Sequence, residues 1–159
     1  AWVRNSFNEF IKFVGENDGA DLRAGLDEYI DVDSFIDTML FYIVIGAYDN
    51  YVKNMLYVTY DGGDTWMCIP YDLDSTWGLY WDGTYYVEDD KGLLRKDGAT
   101  VRTSSSSNIL WTKLLTEYRS EIKTRYDQLR GSTLSNKHIM EEYDDDFRKD
   151  KRFVFMLRN

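Results

Sequence analysis

The residues with the clearest capacity for chemistry are Asp49, Lys53 and Asn54, then Asp72 and Asp74. They sit in two short runs, Asp49-Asn50-Tyr51-Val52-Lys53-Asn54 and Tyr71-Asp72-Leu73-Asp74-Ser75-Thr76-Trp77-Gly78. An Asp with an Asn five residues on, and another Asp beyond a hairpin, is the order in which a kinase catalytic lobe sets a base and metal ligands. In that scheme the first Asp faces an acceptor hydroxyl. The Asn and the later Asp hold Mg²⁺ against phosphate oxygens. Taken singly, each residue also has a plainer reading. Asp49 can cap a turn, Asn54 can satisfy backbone amides, and Asp72 and Asp74 can close Asx turns ahead of Gly78.

The elements that must bring these runs together are legible on either side of Asp61-Gly62-Gly63-Asp64. Apolar and aromatic residues over 55–60 and 65–71 flank that turn, which predicts a β-hairpin. No Lys-Ser/Thr and no GxGxxG follows the glycine pair, so it is a turn and not a phosphate loop. A hairpin returns the end of its second strand to the start of its first. Asp72 is thereby expected near Asn54, with Asp49 one loop away. Side chains two apart on an extended segment share a side, so Asp72 and Asp74 are expected to face together and Leu73 toward the core. Two carboxylates about 5 Å apart at an effective dielectric near about 20 repel by roughly 3 kcal/mol, so an ionised pair should recruit a cation. Carboxylate and amide oxygens with room for water suit Mg²⁺ or Mn²⁺.

Around this block the chain reads as helices. Trp2, Phe7, Phe10, Ile11 and Val14 recur at helical steps up to Gly15, and a short helical piece is expected over 21–26. A central helix follows, with Asp33 as its N-cap and Gly46 as its stop. It is apolar nearly all round, which predicts burial. Asp31, Asp33 and Asp37 are not a calcium loop, because Phe35 and Ile36 stand where an EF-hand needs a ligand and a glycine. Apolar residues from Ile109 to Leu129 predict one long helix, capped by Asn108 and stopped at Gly131, and Ser135 opens another. Between them, 79–107 reads as an irregular loop region. The fold class expected is α+β and mainly helical, a single domain over 1–159 built around the hairpin.

Composition narrows the function classes. The 159 residues carry a net charge of −9, which argues against nucleic acid and against an anionic membrane surface. A hydrophobic share of 43%, with 16% aromatic, is enough for a real core. Cys68 is the sole cysteine and His138 the sole histidine. An intrachain disulfide and a multi-Cys/His zinc site are therefore excluded by count. No apolar run reaches the ~20 residues of a membrane span.

Asp33-Ser34-Phe35-Ile36-Asp37, then Asp49 with Lys53-Asn54, then Ile69-Pro70-Tyr71-Asp72-Leu73-Asp74-Ser75-Thr76-Trp77-Gly78 together resemble the spore-coat protein H (CotH) kinase-like family. These are atypical protein kinases of bacterial spore coats, also found attached to extracellular and cellulosomal proteins. The resemblance runs from about Trp2 to Leu129. It implies the large lobe of a protein-kinase-like fold, ATP and Mg²⁺ or Mn²⁺ as cofactors, and a protein substrate presenting Ser or Thr. It implies Asp49 as catalytic base, Asn54 and Asp72 as metal and nucleotide-binding residues, and Asp74 as a further carboxylate at the metal. Lys53 is implied to touch phosphate. Conventional kinases carry Lys two residues after the base and His-Arg before it, whereas this chain has Tyr51 and Ala47-Tyr48 there. No strands precede Trp2 to cover ATP, so this is expected to be a catalytic-lobe fragment that is inactive alone. Location is expected to be extracellular or in the spore coat.

Two other classes compete. A glycoside hydrolase needs two carboxyl groups about 5–5.5 or 6.5–9.5 Å apart across a sugar cleft, one of them protonated. Acidic surroundings favour a bound cation over that proton. The other is a non-catalytic extracellular binding module that uses the acidic, aromatic surface.

Overall fold

The computed structural model describes residues 2–77, 79, 82–84 and 108–149, with backbone alone at 48, 49 and 143–149. The expected loop region 79–107 therefore falls largely outside the described residues. Six helices and one hairpin are seen among them: α1 (Trp2–Glu16), α2 (Gly19–Gly25), α3 (Val32–Ile45), β1 (Met55–Val58), β2 (Met67–Pro70), α4 (Ile109–Glu117), α5 (Arg119–Arg130) and α6 (Asn136–Lys149). Short 3-10 turns follow α2 at Leu26–Glu28 and α3 at Tyr48–Tyr51. The architecture is α+β and mainly helical around one antiparallel hairpin, as expected. It divides into two compact units, 1–122 and 123–159. Every candidate site residue belongs to the first.

Helix α3 is the core element. Phe35, Ile36, Met39, Leu40, Tyr42 and Ile45 are all buried. Its start differs from expectation in one detail. The N-cap is Asp31, whose carboxylate accepts from Ser34 N at 2.9 Å, and Asp33 lies inside the first turn. Capping donors lie two or three residues beyond the cap. Asp31 wins because its backbone is held outside the helix, where Asp31 N donates to Trp66 O at 3.4 Å and Trp66 N to Tyr29 O at 2.8 Å. The helix ends where expected. Gly46 adopts φ 70 and donates to Tyr42 O, a left-handed cap that a side chain would strain.

Aromatic rings fill the space around α3. Trp111 on α4 lies 5.6 Å from Phe35, 5.9 Å from Tyr42 and 5.6 Å from Tyr51. Tyr57 on β1 bridges Phe7 at 5.1 Å and Phe35 at 6.1 Å, so the hairpin's inner face joins α1 to α3. Such ring pairs add about 0.5–1.5 kcal/mol beyond burial. Cys68, opposite Tyr57 in the ladder, is buried as its strand position predicts. Its thiol lies 3.8 Å from the Tyr42 hydroxyl. Burial pushes the ionisation of both groups up, so the thiol is inert.

A second departure concerns the helix expected over 109–129. It is broken after Glu117, where Tyr118 takes φ −111 and ψ 25, and the chain restarts as α5. Leu114, Tyr118 and Ile122 keep a four-residue spacing through the break and all are buried, so apolar periodicity alone does not reveal it. The Arg23 guanidinium lies over the Tyr118 ring at 4.4 Å and bonds Glu117 O and the Glu121 carboxylate, bracing α2 against the break. Asn108 caps α4 as expected, accepting from Leu110 N at 3.0 Å. Among the described residues, no helix is long and apolar enough to cross a membrane.

One strong long-range tie was not visible in the sequence. Lys113 is buried on α4, and its ammonium donates to Val14 O and Asn17 O, each at 2.6 Å. It also pairs with Asp18 at 2.9 Å. These carbonyls close the end of α1, where the helix dipole favours a cation.

Candidate active site at the end of the central helix

The candidate site is built on the C-terminal end of α3. Gly46 turns the chain out of the helix, Ala47 N donates back to Tyr42 O at 2.9 Å, and Asn50 N to Ala47 O at 3.2 Å. This winds 48–51 into the 3-10 turn that carries Asp49. Tyr51, at the end of the turn, is buried, and its hydroxyl donates to Met39 O at 3.0 Å. The turn is therefore stapled to the helix it leaves. Asp49 is placed by its backbone, and its side chain lies outside what is described. Lys53 is exposed on the bend that follows.

The hairpin then performs the return that its sequence predicts. Met55 pairs with Pro70 and Val58 with Met67 in an antiparallel register. The turn between them is organised by Asp61, whose carboxylate accepts from Thr65 N at 3.0 Å, Asp64 N at 3.1 Å and the Thr59 hydroxyl at 2.8 Å. Thr65 N first, then the Thr59 hydroxyl, hold its carboxyl down to about 2. At the open end the ladder gains one more bond, Tyr71 N to Asn54 O at 3.1 Å. Asn54 and Tyr71 are thus cross-strand neighbours, and Asp72 is the next residue.

Both expected ligand positions leave the ladder in an unusual backbone state. Asn54 has φ 60 and Asp72 has φ 56, in the left-handed region. Asn and Asp are the non-glycine residues that tolerate it best, and such outliers gather at functional sites. The expectation that Asp72 and Asp74 face one side rested on an extended chain. With Asp72 left-handed the alternation breaks, so that argument does not hold here. Asp74 instead accepts from Ser75 N at 2.9 Å through one oxygen, a local turn. Thr76, buried, donates its hydroxyl to Leu73 O at 2.8 Å. Trp77 N donates to Ile45 O at 2.6 Å, with φ 55. The segment 71–77 is therefore anchored at one end to Asn54 and at the other to the last turn of α3. The loop of Asp49 and the segment of Asp72 grow from the same helix end.

Asn50, beside Asp49 in its run, has a role that the sequence does not reveal. Its amide is buried and donates to Asn54 O at 2.6 Å and to Tyr71 O at 2.9 Å. Its sequence signal is an amide next to Asp49 in a short turn flanked by Tyr48, Tyr51 and Val52.

The structure brings Asn54 and the residue before Asp72 together through the backbone; a carboxamide and a carboxylate are the hard donors that suit Mg²⁺ or Mn²⁺, and two protein ligands with open positions is how such ions are held at phosphates. The donor set fits that class. Among the described residues, no three His, Cys, Asp or Glu side chains converge as a metal cluster. The expected set differs from that composition, since one ligand is an amide.

The model of one protein family, described as CotH kinase protein, matches residues 3–148 of the chain. No curated protein and no solved structure matches it. The matched span contains every residue of the candidate site and every described helix but the first residue of α1 and the last of α6.

Proposed function

This chain belongs to the CotH kinase protein family, and from that premise we propose that it is the catalytic-loop part of an atypical protein kinase. The reaction proposed is transfer of the ATP γ-phosphoryl group to a Ser or Thr hydroxyl of a coat or extracellular protein. Asp49 orients the acceptor hydroxyl and takes its proton as transfer proceeds. Asn54 and Asp72 would hold Mg²⁺ or Mn²⁺, with Asp74 as the neighbouring carboxylate and Lys53 toward phosphate. A bound divalent ion supplies neutralisation of phosphate charge. The observation that supports this reading is the Tyr71-to-Asn54 backbone bond at the open end of the hairpin, because it brings the backbone of Asn54 next to the residue before Asp72 in a chain with net charge −9.

The test has two arms. Thermal stability of the wild-type chain and of Asp72→Ala is followed against Mg²⁺ or Mn²⁺ with ATP. An upward shift is expected in the wild type and none in the variant. In the complete protein, Asp49→Ala is expected to abolish transfer while nucleotide binding persists. Phosphorylation retained in that variant removes Asp49 from the role.

A non-catalytic binding module is favoured by one observation, the exposure of Tyr60, Tyr71 and Trp77 at 79%, 58% and 70%. Rings that open to solvent can dock a wall or coat component. No metal-dependent shift in either chain would select that alternative.

A further inference from the structure

We infer that Asn50 is a positioning residue for the divalent-ion site, acting through the backbone of both ligands without touching the ion. The inference rests on the metal-site reading above and adds to it the group that sets its geometry. Asn54 and Tyr71 already share one ladder bond, from Tyr71 N to Asn54 O. A single bond at the open end of a two-stranded hairpin is a weak constraint, since two-stranded pairing alone is marginal in water. Asn50 adds two more. One amide nitrogen donates both to Asn54 O at 2.6 Å and to Tyr71 O at 2.9 Å. Each acceptor is the carbonyl of a peptide unit that borders a left-handed residue: Asn54 itself at φ 60, and Asp72 at φ 56.

The geometry gives this amide a particular purpose. A left-handed non-glycine residue relaxes toward the right-handed or extended region unless its neighbours over-determine it. The carboxamide nitrogen has two hydrogens, and here both are spent on carbonyls from opposite strands. It therefore fixes the separation of the two strands and the rotation of the two peptide planes together. A hydroxyl or a carboxylate at position 50 cannot do this, because neither offers two donors from one atom. Asn50 is itself 1% exposed, and its backbone is held in the 3-10 turn by its own N–H to Ala47 O. That turn also carries Asp49. One side chain thus couples the turn of the expected base to the two expected ligands.

The full chain tests this with Mn²⁺ alone as the probe, read by water-proton relaxation. Asn50→Asp keeps the side-chain shape and removes both donors. Its Mn²⁺ dissociation constant is expected to rise at least tenfold. Val14→Ala, a buried position on α1 far along the chain from the site, serves as a stability control. It is expected to stay within twofold of wild type despite a lower Tm, which separates positioning from general loosening. A dissociation constant within twofold of wild type in Asn50→Asp overturns the inference. Should that variant not fold, NMR of the wild type decides. Mg²⁺ is expected to shift the Asn50 side-chain amide together with the Tyr71 backbone amide. Shifts at Asn54 and Asp72 that leave those two signals unmoved overturn the role of Asn50 and spare the metal site. A wild type that shows no Mn²⁺ or Mg²⁺ response at all removes the metal site, and Asn50's role with it.

Discussion

Asn54 and Asp72 pose the same question at the scale of single residues: is the left-handed backbone there for the fold or for the side chain? Glycine adopts that region without steric cost, whereas an L-residue is less favourable there by roughly 1 kcal/mol. Asn54→Gly and Asn54→Ala therefore separate the two purposes. Asn54→Gly is expected to melt at or above Asn54→Ala, the difference corresponding to about 1 kcal/mol. Both are expected to lose the Mg²⁺-dependent thermal shift equally, because both lack the amide oxygen. A retained shift in Asn54→Gly would show that the backbone matters there and the amide does not. Position 77 makes the same point from the other side. Trp77 holds φ 55 while its ring is mostly exposed, so no burial offsets the strain, and it is the bulkiest left-handed residue among the described ones.

At the scale of elements, the joints between helices carry the predictions. Lys113 closes α1 by donating to Val14 O and Asn17 O. Lys113→Met keeps the stem and removes the donors, leaving carbonyls unsatisfied at a buried helix end. A loss of about 1–3 kcal/mol is expected in urea denaturation with an unchanged m-value. Arg23 and Glu121 form a weaker joint, because both side chains are about two-fifths open to solvent, at 41% and 39%. Arg23 first, then the Ser120 hydroxyl, holds the Glu121 carboxyl down to about 2 from its ordinary 4.5. A depressed carboxyl stabilises the fold above its ordinary value, and that contribution is lost as pH falls through 4.5 toward about 2. The stability difference between wild type and Glu121→Gln is expected to be small at pH 7, under about 1 kcal/mol, and to vanish as pH falls to about 2. These joints also mark what the sequence could and could not reveal. Gly46, Asn108 and the Asp61-Gly62-Gly63-Asp64 turn were legible because each acts on its own neighbours. Asp33 was the expected cap, and a backbone bond from Asp31 to distant Trp66 moves that role to Asp31. Lys113 and Asn50 act across chain reversals, and residue type carries no address for a partner 99 or 21 positions away. The break at Tyr118 hid behind unbroken apolar spacing. The candidate site was legible as a set of residues and as a hairpin return, whereas the left-handed states of Asn54 and Asp72 were not, because either residue is equally at home in an ordinary turn.

Over the whole molecule, 28 acidic residues face 19 basic ones, and this surplus repels itself. Monovalent salt is therefore expected to raise Tm by a few degrees through screening alone. A true divalent-ion site must exceed that background: 5 mM Mg²⁺ should stabilise the wild type more than NaCl of equal ionic strength, and Asp72→Ala should show only the salt effect. The sole thiol supplies an independent gauge. Cys68 is shut between the Tyr42 ring and its own ladder, two residues before Pro70 and four before Asp72. Any reagent that alkylates sulfur must wait for β2 to lift from α3, so the labelling rate clocks how often the segment bearing Asp72 comes undone. A ligand that settles on that segment would slow the clock without ever meeting the sulfur.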